Sequence, residues 1–371
     1  VGKRGRVVSL VAAGVVLVAV LGTVLFGGPG EKIASKVGIE PLLRGDETGL
    51  RAALDVVPND TKRLSFTDWQ AVRKALGAKF GDDPERADIE AMTSKAYDTD
   101  FSAVSSIDEA AAALQENFGF SPATMSWEAF AQSDDGATMV VRMPDDFDLG
   151  KVKGRLADLG FKKPKDDDGV WDGGVDLTAA IDPTITPELQ YVAVLEDEHL
   201  IVTSDGLEYA KKVVQVALGN KDSLGDLESA RDVVEPLDEP AAAMLWSRDF
   251  ACADLSMGTA DAERQEEGDA LVARAGKISP LSGLVMAMAP DRTLTVAQQF
   301  EDDDQARSNL RPRAKLAVGE AVGRGGSFND DFRLTSSRTE GATVLLTLEP
   351  RTDPGYVLSA LDSGPVLFAT C

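Results

Sequence analysis

Few residues in this chain could carry out chemistry. There is one histidine, His199, and there are two cysteines, Cys252 and Cys371; carboxylates are abundant, with 62 Asp and Glu against 38 Lys and Arg. A single histidine excludes every site that needs two, including the zinc pattern His-Glu-x-x-His. Two cysteines cannot make a four-thiolate zinc site or an iron–sulfur centre, and no Cys-x-x-Cys redox pair occurs. Gly-x-Ser-x-Gly, Ser-x-x-Lys and the Walker loop are absent. Gly323-Arg324-Gly325 lacks the third glycine of a dinucleotide fingerprint and follows a predicted helix rather than a strand, so it reads as a loop. His199 falls at a predicted hairpin turn, Glu196-Asp197-Glu198-His199, where a solvated turn residue is the simpler reading than a general base. No catalytic residue and no cofactor are assigned, and the reading is of a chain that is not an enzyme.

The carboxylates come in runs at Asp145-Asp146, Asp166-Asp167-Asp168, Asp302-Asp303-Asp304 and Asp330-Asp331. Calcium needs six to eight oxygens at defined spacing, and none of these runs has the EF-hand order. The nearest fragment, Asp166-Asp167-Asp168-Gly169, reads equally as a plain turn, so no metal site is assigned beyond those three residues. The Asp302 run opens a predicted helix, where acids favour the dipole in any case. A glycosidase needs only two carboxylates some 5–10 Å apart, and a sequence this rich in acids cannot single out a pair. Trp69, Trp127, Trp171 and Trp246 could stack on sugar rings, but each adjoins a predicted strand or helix start, which points to core packing.

Composition narrows the partners. The chain has 371 residues, 43% of them hydrophobic, enough for a packed core, and a net charge of −24. That charge argues against nucleic acid and against anionic headgroups, since both need a basic face. Residues 7–26, VVSLVAAGVVLVAVLGTVLF, carry no charge. As a helix at about 1.5 Å per residue they span about 30 Å, the hydrocarbon thickness of a bilayer. Lys3, Arg4 and Arg6 precede them, which holds the amino terminus in the cytoplasm and sends the rest outside. A cleaved signal peptide would have a shorter apolar region and a small-x-small site after it. The expected organisation is a basic tail (1–6), a transmembrane anchor in contact with the lipid bilayer (7–27), a juxtamembrane helix or linker (28–57), and two extracytoplasmic α+β regions (58–235 and 236–371).

Outside the membrane, an even cysteine count favours a disulfide. Cys252 follows an apolar strand-like run, and Cys371 ends a run, residues 365–370, that reads as a buried strand; a Cys252–Cys371 bond would staple that terminal strand to the body. Hairpin patterns occur at 125–131 with 138–143, 191–195 with 200–203, 284–289 with 293–300, and 334–338 with 343–348. Helical patterns fall between them, at 148–159, 207–218, 224–234 and 302–322, the last carrying Pro312 as an expected kink. Asp68 is placed to cap a helix from Trp69, and Ser106 with Glu109 forms a capping-box pattern opening a helix to Phe118. Hairpin, helix, hairpin thus occurs twice. The fold class expected is α+β, an antiparallel sheet with helices packed on one face, with a suspected internal duplication.

The anchor, VPNDTKRLSFTDW at 57–69, VLEDEHLIV at 194–202 and the terminal FATC at 368–371 give a layout that resembles uncharacterised exported, membrane-anchored actinobacterial proteins and the broader DUF3352-like group. That resemblance implies no activity and no site residues. The functional expectation is a single-pass, acidic, non-catalytic extracytoplasmic module that binds or organises a cell-envelope component, with a membrane protein or the cell wall as partner. The alternatives are a calcium-dependent adhesion or sensor module and an envelope carbohydrate hydrolase; a substrate-sized cleft holding two carboxylates, one of raised pKa, would favour the hydrolase.

Overall fold

The computed structural model describes residues 49–353 and 355–371. The basic tail, the anchor and most of the linker therefore lie outside the described residues. Among the described residues, no helix is long and apolar enough to cross a membrane. Residues 48–371 form one compact unit.

The strands are, in chain order, β1 (Arg63–Thr67), β2 (Trp127–Gln132), β3 (Ala137–Arg142), β4 (Trp171–Asp172), β5 (Tyr191–Leu195), β6 (Leu200–Ser204), β7 (Ala242–Ser247), β8 (Gly283–Met288), β9 (Leu294–Gln299), β10 (Phe332–Glu340) and β11 (Thr343–Pro350). The helices are α1 (Gly49–Asp55), α2 (Trp69–Leu76), α3 (Arg86–Asp98), α4 (Ala111–Phe118), α5 (Gly150–Leu159), α6 (Gly174–Ile181), α7 (Leu207–Ala217), α8 (Glu228–Val234), α9 (Phe250–Asp254), α10 (Ala262–Ala275), α11 (Asp303–Leu316), α12 (Phe328–Asp331) and α13 (Leu358–Leu361). All eleven strands join one sheet in the order β10-β11-β9-β8-β7-β1-β2-β3-β6-β5-β4, and every pairing in it is antiparallel. Residues 58–235 supply β1 to β6 and residues 236–371 supply β7 to β11. All four expected hairpins are present.

The order is mirrored about the central β1–β7 pair, in which Ser65 lies opposite Met244. On each side a lone strand is followed by a hairpin, then a helix, then a second hairpin that closes back on the first. Each lone strand is preceded by a short helix, and the two stretches share residues at Leu50/Leu227, Ala53/Ala230, Asp55/Asp232, Val56/Val233 and Val57/Val234.

The expectation of helices on one face is corrected. The sheet is covered on both faces because its central strands are apolar at successive positions, not alternate ones. Ala242, Met244 and Trp246 of β7 pack into one core with α2 to α5, while Ala243 and Leu245 pack into a second core with α1, α7 and α8. A strand buried on both sides needs cover on both sides.

Several local signals act as expected. Asp68 accepts from Ala71 N at 2.8 Å and caps α2; Asp302 accepts from Gln305 N at 2.8 Å and caps α11. All four tryptophans are buried in the core. Two signals are overridden. Helix α11 runs through Pro312 and ends at Leu316. The capping box at Ser106 does not form: α4 begins at Ala111, and the Ser106 N–H points to Glu128 instead.

Cys252 and Cys371 form a disulfide with Cα atoms 5.6 Å apart. Cys252 lies in α9, just past β7. The segment it ties down is not the expected strand. Residues 365–370 are largely buried, with a 3-10 turn at Leu367–Ala369, because the carbonyls there are claimed by side chains rather than by a neighbouring strand. Arg313 donates to Phe368 O and Thr370 O and to Ser279 O at 2.7 Å, and Gln298 donates to Phe368 O at 2.7 Å. Arg313 is fully buried, stacks 5.7 Å from the Phe300 ring centre, and its pKa falls to about 9 through burial.

Candidate functional site

The residues singled out on sequence grounds do not assemble into a site. Asp166, Asp167 and Asp168 occupy an exposed turn. Among the described residues, no group of three or more His, Cys, Asp or Glu is placed to hold a metal ion. His199 sits in the β5–β6 turn with a left-handed φ of 52°, and its carbonyl accepts from Met143 N at 3.0 Å.

The structure instead brings together residues that sequence reasoning passed over. A cleft of about 660 Å³ opens between α3, the loop at 99–110, the start of α4, and the loop after α6. Helix α3 contributes Arg86, Glu90, Thr93, Ser94 and Tyr97, placed on one side by the three- and four-residue helical spacing. The loop contributes Ser102, Ser105, Asp108 and Glu109; the small residues Ala111, Ala112 and Ala113 leave the floor open; Asp182, Thr184 and Ser359 close the far side. Seven of these side chains carry hydroxyls. Tyr97, 64% exposed, is one of few large apolar side chains that face solvent among the described residues.

Charge in the cleft is unbalanced. Its one guanidinium, Arg86, is already committed, to Glu116 through two bonds and to Glu90 at 3.2 Å. Glu116 is held below the ordinary carboxylate range by that bond, and Asp182 is lowered by its hydrogen bonds from Thr184. Asp108 behaves oppositely. Burial raises its pKa although it accepts from the Glu109 N–H at 2.9 Å and has the Ser102 hydroxyl nearby.

Behind the loop lies Glu128, the second residue of β2 and 1% exposed. Burial is the main cause that pushes its pKa up to about 8; Asp108 raises it further, while Ser105, the Ser106 N–H and Trp69 oppose the shift. Ser106 N donates to Glu128 Oε1 at 3.2 Å, so this acid, neutral below pH 8, anchors the loop that forms the cleft wall. A third buried acid, Asp100, holds the other end of the same loop. It adopts φ 67° and accepts from Leu358 N at 2.7 Å and Ser359 N at 3.3 Å, capping α13, and burial raises its pKa as well. One loop is thus tied to β2 by Glu128 and to the C-terminal segment by Asp100, and it presents two serines and Asp108 to the cleft.

No family model and no curated protein match the sequence. Among solved structures, TP0453 in its crystal forms I and III is similar at TM-scores of 0.39 and 0.40 and 8% identity. Those alignments cover 84% and 86% of this chain and 96% and 99% of the other. Likeness at that level carries no argument about the fold or the site.

The signal that could have found Glu128 was present in SWEAFAQ at 126–132, a glutamate inside a strand whose neighbours on both faces are apolar. Such a residue must be buried, and a buried carboxylate without a cation is held neutral.

Proposed function

We propose that the chain is a membrane-anchored, extracytoplasmic binding module, and that its ligand, a component of the cell envelope, sits in the cleft walled by α3 and the loop at 99–110. The observation that carries this reading is the cleft itself, lined by seven hydroxyl side chains and backed by a loop fastened at both ends. A fixed loop with polar groups is suited to recognition, because little ordering entropy is lost when a ligand binds. The disulfide supports a location where thiols are oxidised, and the apolar run at 7–26 supports the anchor. We further read the two mirrored halves of the sheet, each introduced by its L-x-x-A-x-D-V-V stretch, as copies of one ancestral unit.

The hydrolase alternative gains one feature: Asp108, whose pKa burial raises, lines the cleft with Glu90, Glu109 and Asp182. Glu90 is engaged by Arg86, and the lining is dominated by hydroxyls suited to recognition, so binding is the reading we adopt.

The test uses the full-length oxidised protein in detergent micelles with solubilised envelope fractions, read by thermal unfolding. A ligand at a hundredfold excess over its Kd adds about 2.7 kcal/mol to stability. Ser94 is exposed and lines the cleft, so Ser94→Trp fills it without disturbing the core, and Lys95→Trp, one position on, is the control. Loss of the shift in Ser94→Trp alone is the expected result. An equal shift in both variants, or no shift with any fraction, refutes the cleft as the site.

A further inference from the structure

Polar atoms that lack partners gather behind the cleft wall. Of the twelve buried side-chain nitrogens and oxygens without a hydrogen-bond partner among the described residues, four belong to Thr67, Trp69, Ser102 and Glu128. The β1–β2 register sets Thr67 directly opposite Glu128, with both side chains on the α2–α5 face. Trp69 Nε1 faces the Glu128 carboxyl. Ser102, 3% exposed, lines the cleft, and its hydroxyl has no well-formed bond. Such orphans are costly inside a packed core, and four in one place form the mark of a site.

The acids of this region also lack a cation. None of the ion pairs among the described residues includes Asp100, Asp108 or Glu128. Around them stand Glu109 beside Asp108, Glu90 and Arg86 on α3, and Asp182 across the cleft, with Arg86 saturated by Glu90 and Glu116.

We infer that the cleft recognises a ligand bearing a protonated amine, whose ammonium group seats against Asp108 with Glu128 behind it, while Ser102 and Ser105 bond the ligand's neighbouring hydroxyl or amide. This rests on the binding-cleft reading. Physically, an ammonium supplies the positive charge that the buried acids lack and the N–H donors that their free oxygens can accept. Bringing a cation beside a neutral buried carboxyl favours its ionised form. The carboxyl proton then passes to solvent as the ligand binds, leaving a carboxylate–ammonium pair. Binding therefore tightens as pH rises from 6 to 8.

The probes are Nα-acetyl-lysine amide and its Nε-acetylated form, which differ by one charge at nearly constant shape. Each is titrated at about 10 mM, where even a Kd of about 1 mM saturates the site, into full-length protein at 0.15 M salt, by calorimetry in buffers of different ionisation heat. The amine form is expected to bind about tenfold more tightly than the acetylated form and to release protons. Ser94→Trp should abolish the binding and Lys95→Trp should not. Glu128→Gln should keep weakened binding and lose the proton release. Equal or tighter binding of the acetylated form, still sensitive to Ser94→Trp, overturns the ammonium inference and leaves the cleft reading standing. Binding of neither probe also overturns it, and the envelope-fraction experiment then decides the cleft reading separately. Binding of the amine that Ser94→Trp leaves unchanged is attraction to the acidic surface alone and counts against the inference.

Discussion

Glu128→Gln should abolish the pH dependence that Glu128 imposes on stability. In the folded protein the carboxyl titrates at about 8, against a reference value of 4.5. Between those values the folded state holds a proton that the unfolded chain has lost. The contribution to stability is therefore present in full below about pH 4.5 and declines as pH rises to about 8. The slope is about 1.4 kcal/mol per pH unit, so the wild type loses on the order of 4 kcal/mol between pH 5 and pH 8 that the glutamine variant keeps. Glutamine preserves the shape and the acceptor for Ser106 N, and adds a donor for the neighbouring oxygens. Urea unfolding of oxidised wild type and variant, followed by tryptophan fluorescence at each pH unit from 5 to 9, gives the difference directly, and contributions from the other acids cancel in it. A difference flat to within about 0.5 kcal/mol across that range would show that Glu128 is ionised or solvated in the native protein, and the account of the loop's anchor would fall with it.

Replacing both cysteines by serine, Cys252→Ser with Cys371→Ser, opens a loop with a sequence separation of 119; chain entropy puts the loss at up to about 5 kcal/mol, measurable from the denaturation midpoint, and unchanged stability would show that the terminal segment is held by Arg313 alone. Arg313→Ala leaves the carbonyls of Ser279 and Thr370 without their donor inside the core, while Phe368 O keeps Gln298, for a loss of about 3–5 kcal/mol; a loss under about 1 kcal/mol would mean that water replaces the guanidinium. At Asp100, Asn tolerates the left-handed backbone and keeps one acceptor, whereas Ala strains the first and removes the second. Asp100→Ala should therefore cost about 1–2 kcal/mol more than Asp100→Asn, and equal losses would remove Asp100 as the cap of α13. Gly364→Ala places a Cβ 2.3 Å from the Asp254 carbonyl oxygen, a backbone clash expected to cost about 1–3 kcal/mol; wild-type stability would show that the loop moves freely.

The hairpins were legible because each couples period-two apolar runs to a turn such as Ser133-Asp134-Asp135-Gly136, and both signals are local. The disulfide was legible from the even cysteine count and the expectation of export. The two covered faces were not. Ala241-Ala242-Ala243-Met244-Leu245-Trp246 is apolar at every position, which fits a strand buried on both sides as well as a run of uncertain period, and only the sheet order tells which helices lie on which face. The terminal segment misled for a related reason. Residues 365–370 have the composition of a strand, but the carbonyls of Phe368 and Thr370 are taken by Arg313 and Gln298, which lie 55 or more residues away in sequence.

The cleft was least legible, and its position explains why. Its wall is the loop at 99–110, whose serines and acids look like ordinary surface turn chemistry when read alone. Their meaning comes from three relations distant in sequence: Asp100 bonded to α13, Ser106 bonded to Glu128, and the charge of Asp108 acting on the same glutamate. Ser106 shows the competition most clearly. With Glu109 three residues on, it has the pattern of a capping box worth about 1 kcal/mol. In the fold, its N–H goes instead to Oε1 of a buried acid whose Oε2 has no well-formed partner. Leaving that carboxyl wholly unpartnered would cost more than the cap contributes, so the helix start moves to Ala111 and the loop is drawn over β2. A local rule broken beside a buried, unpaired acid is where a site is to be expected, and here the break and the cleft coincide.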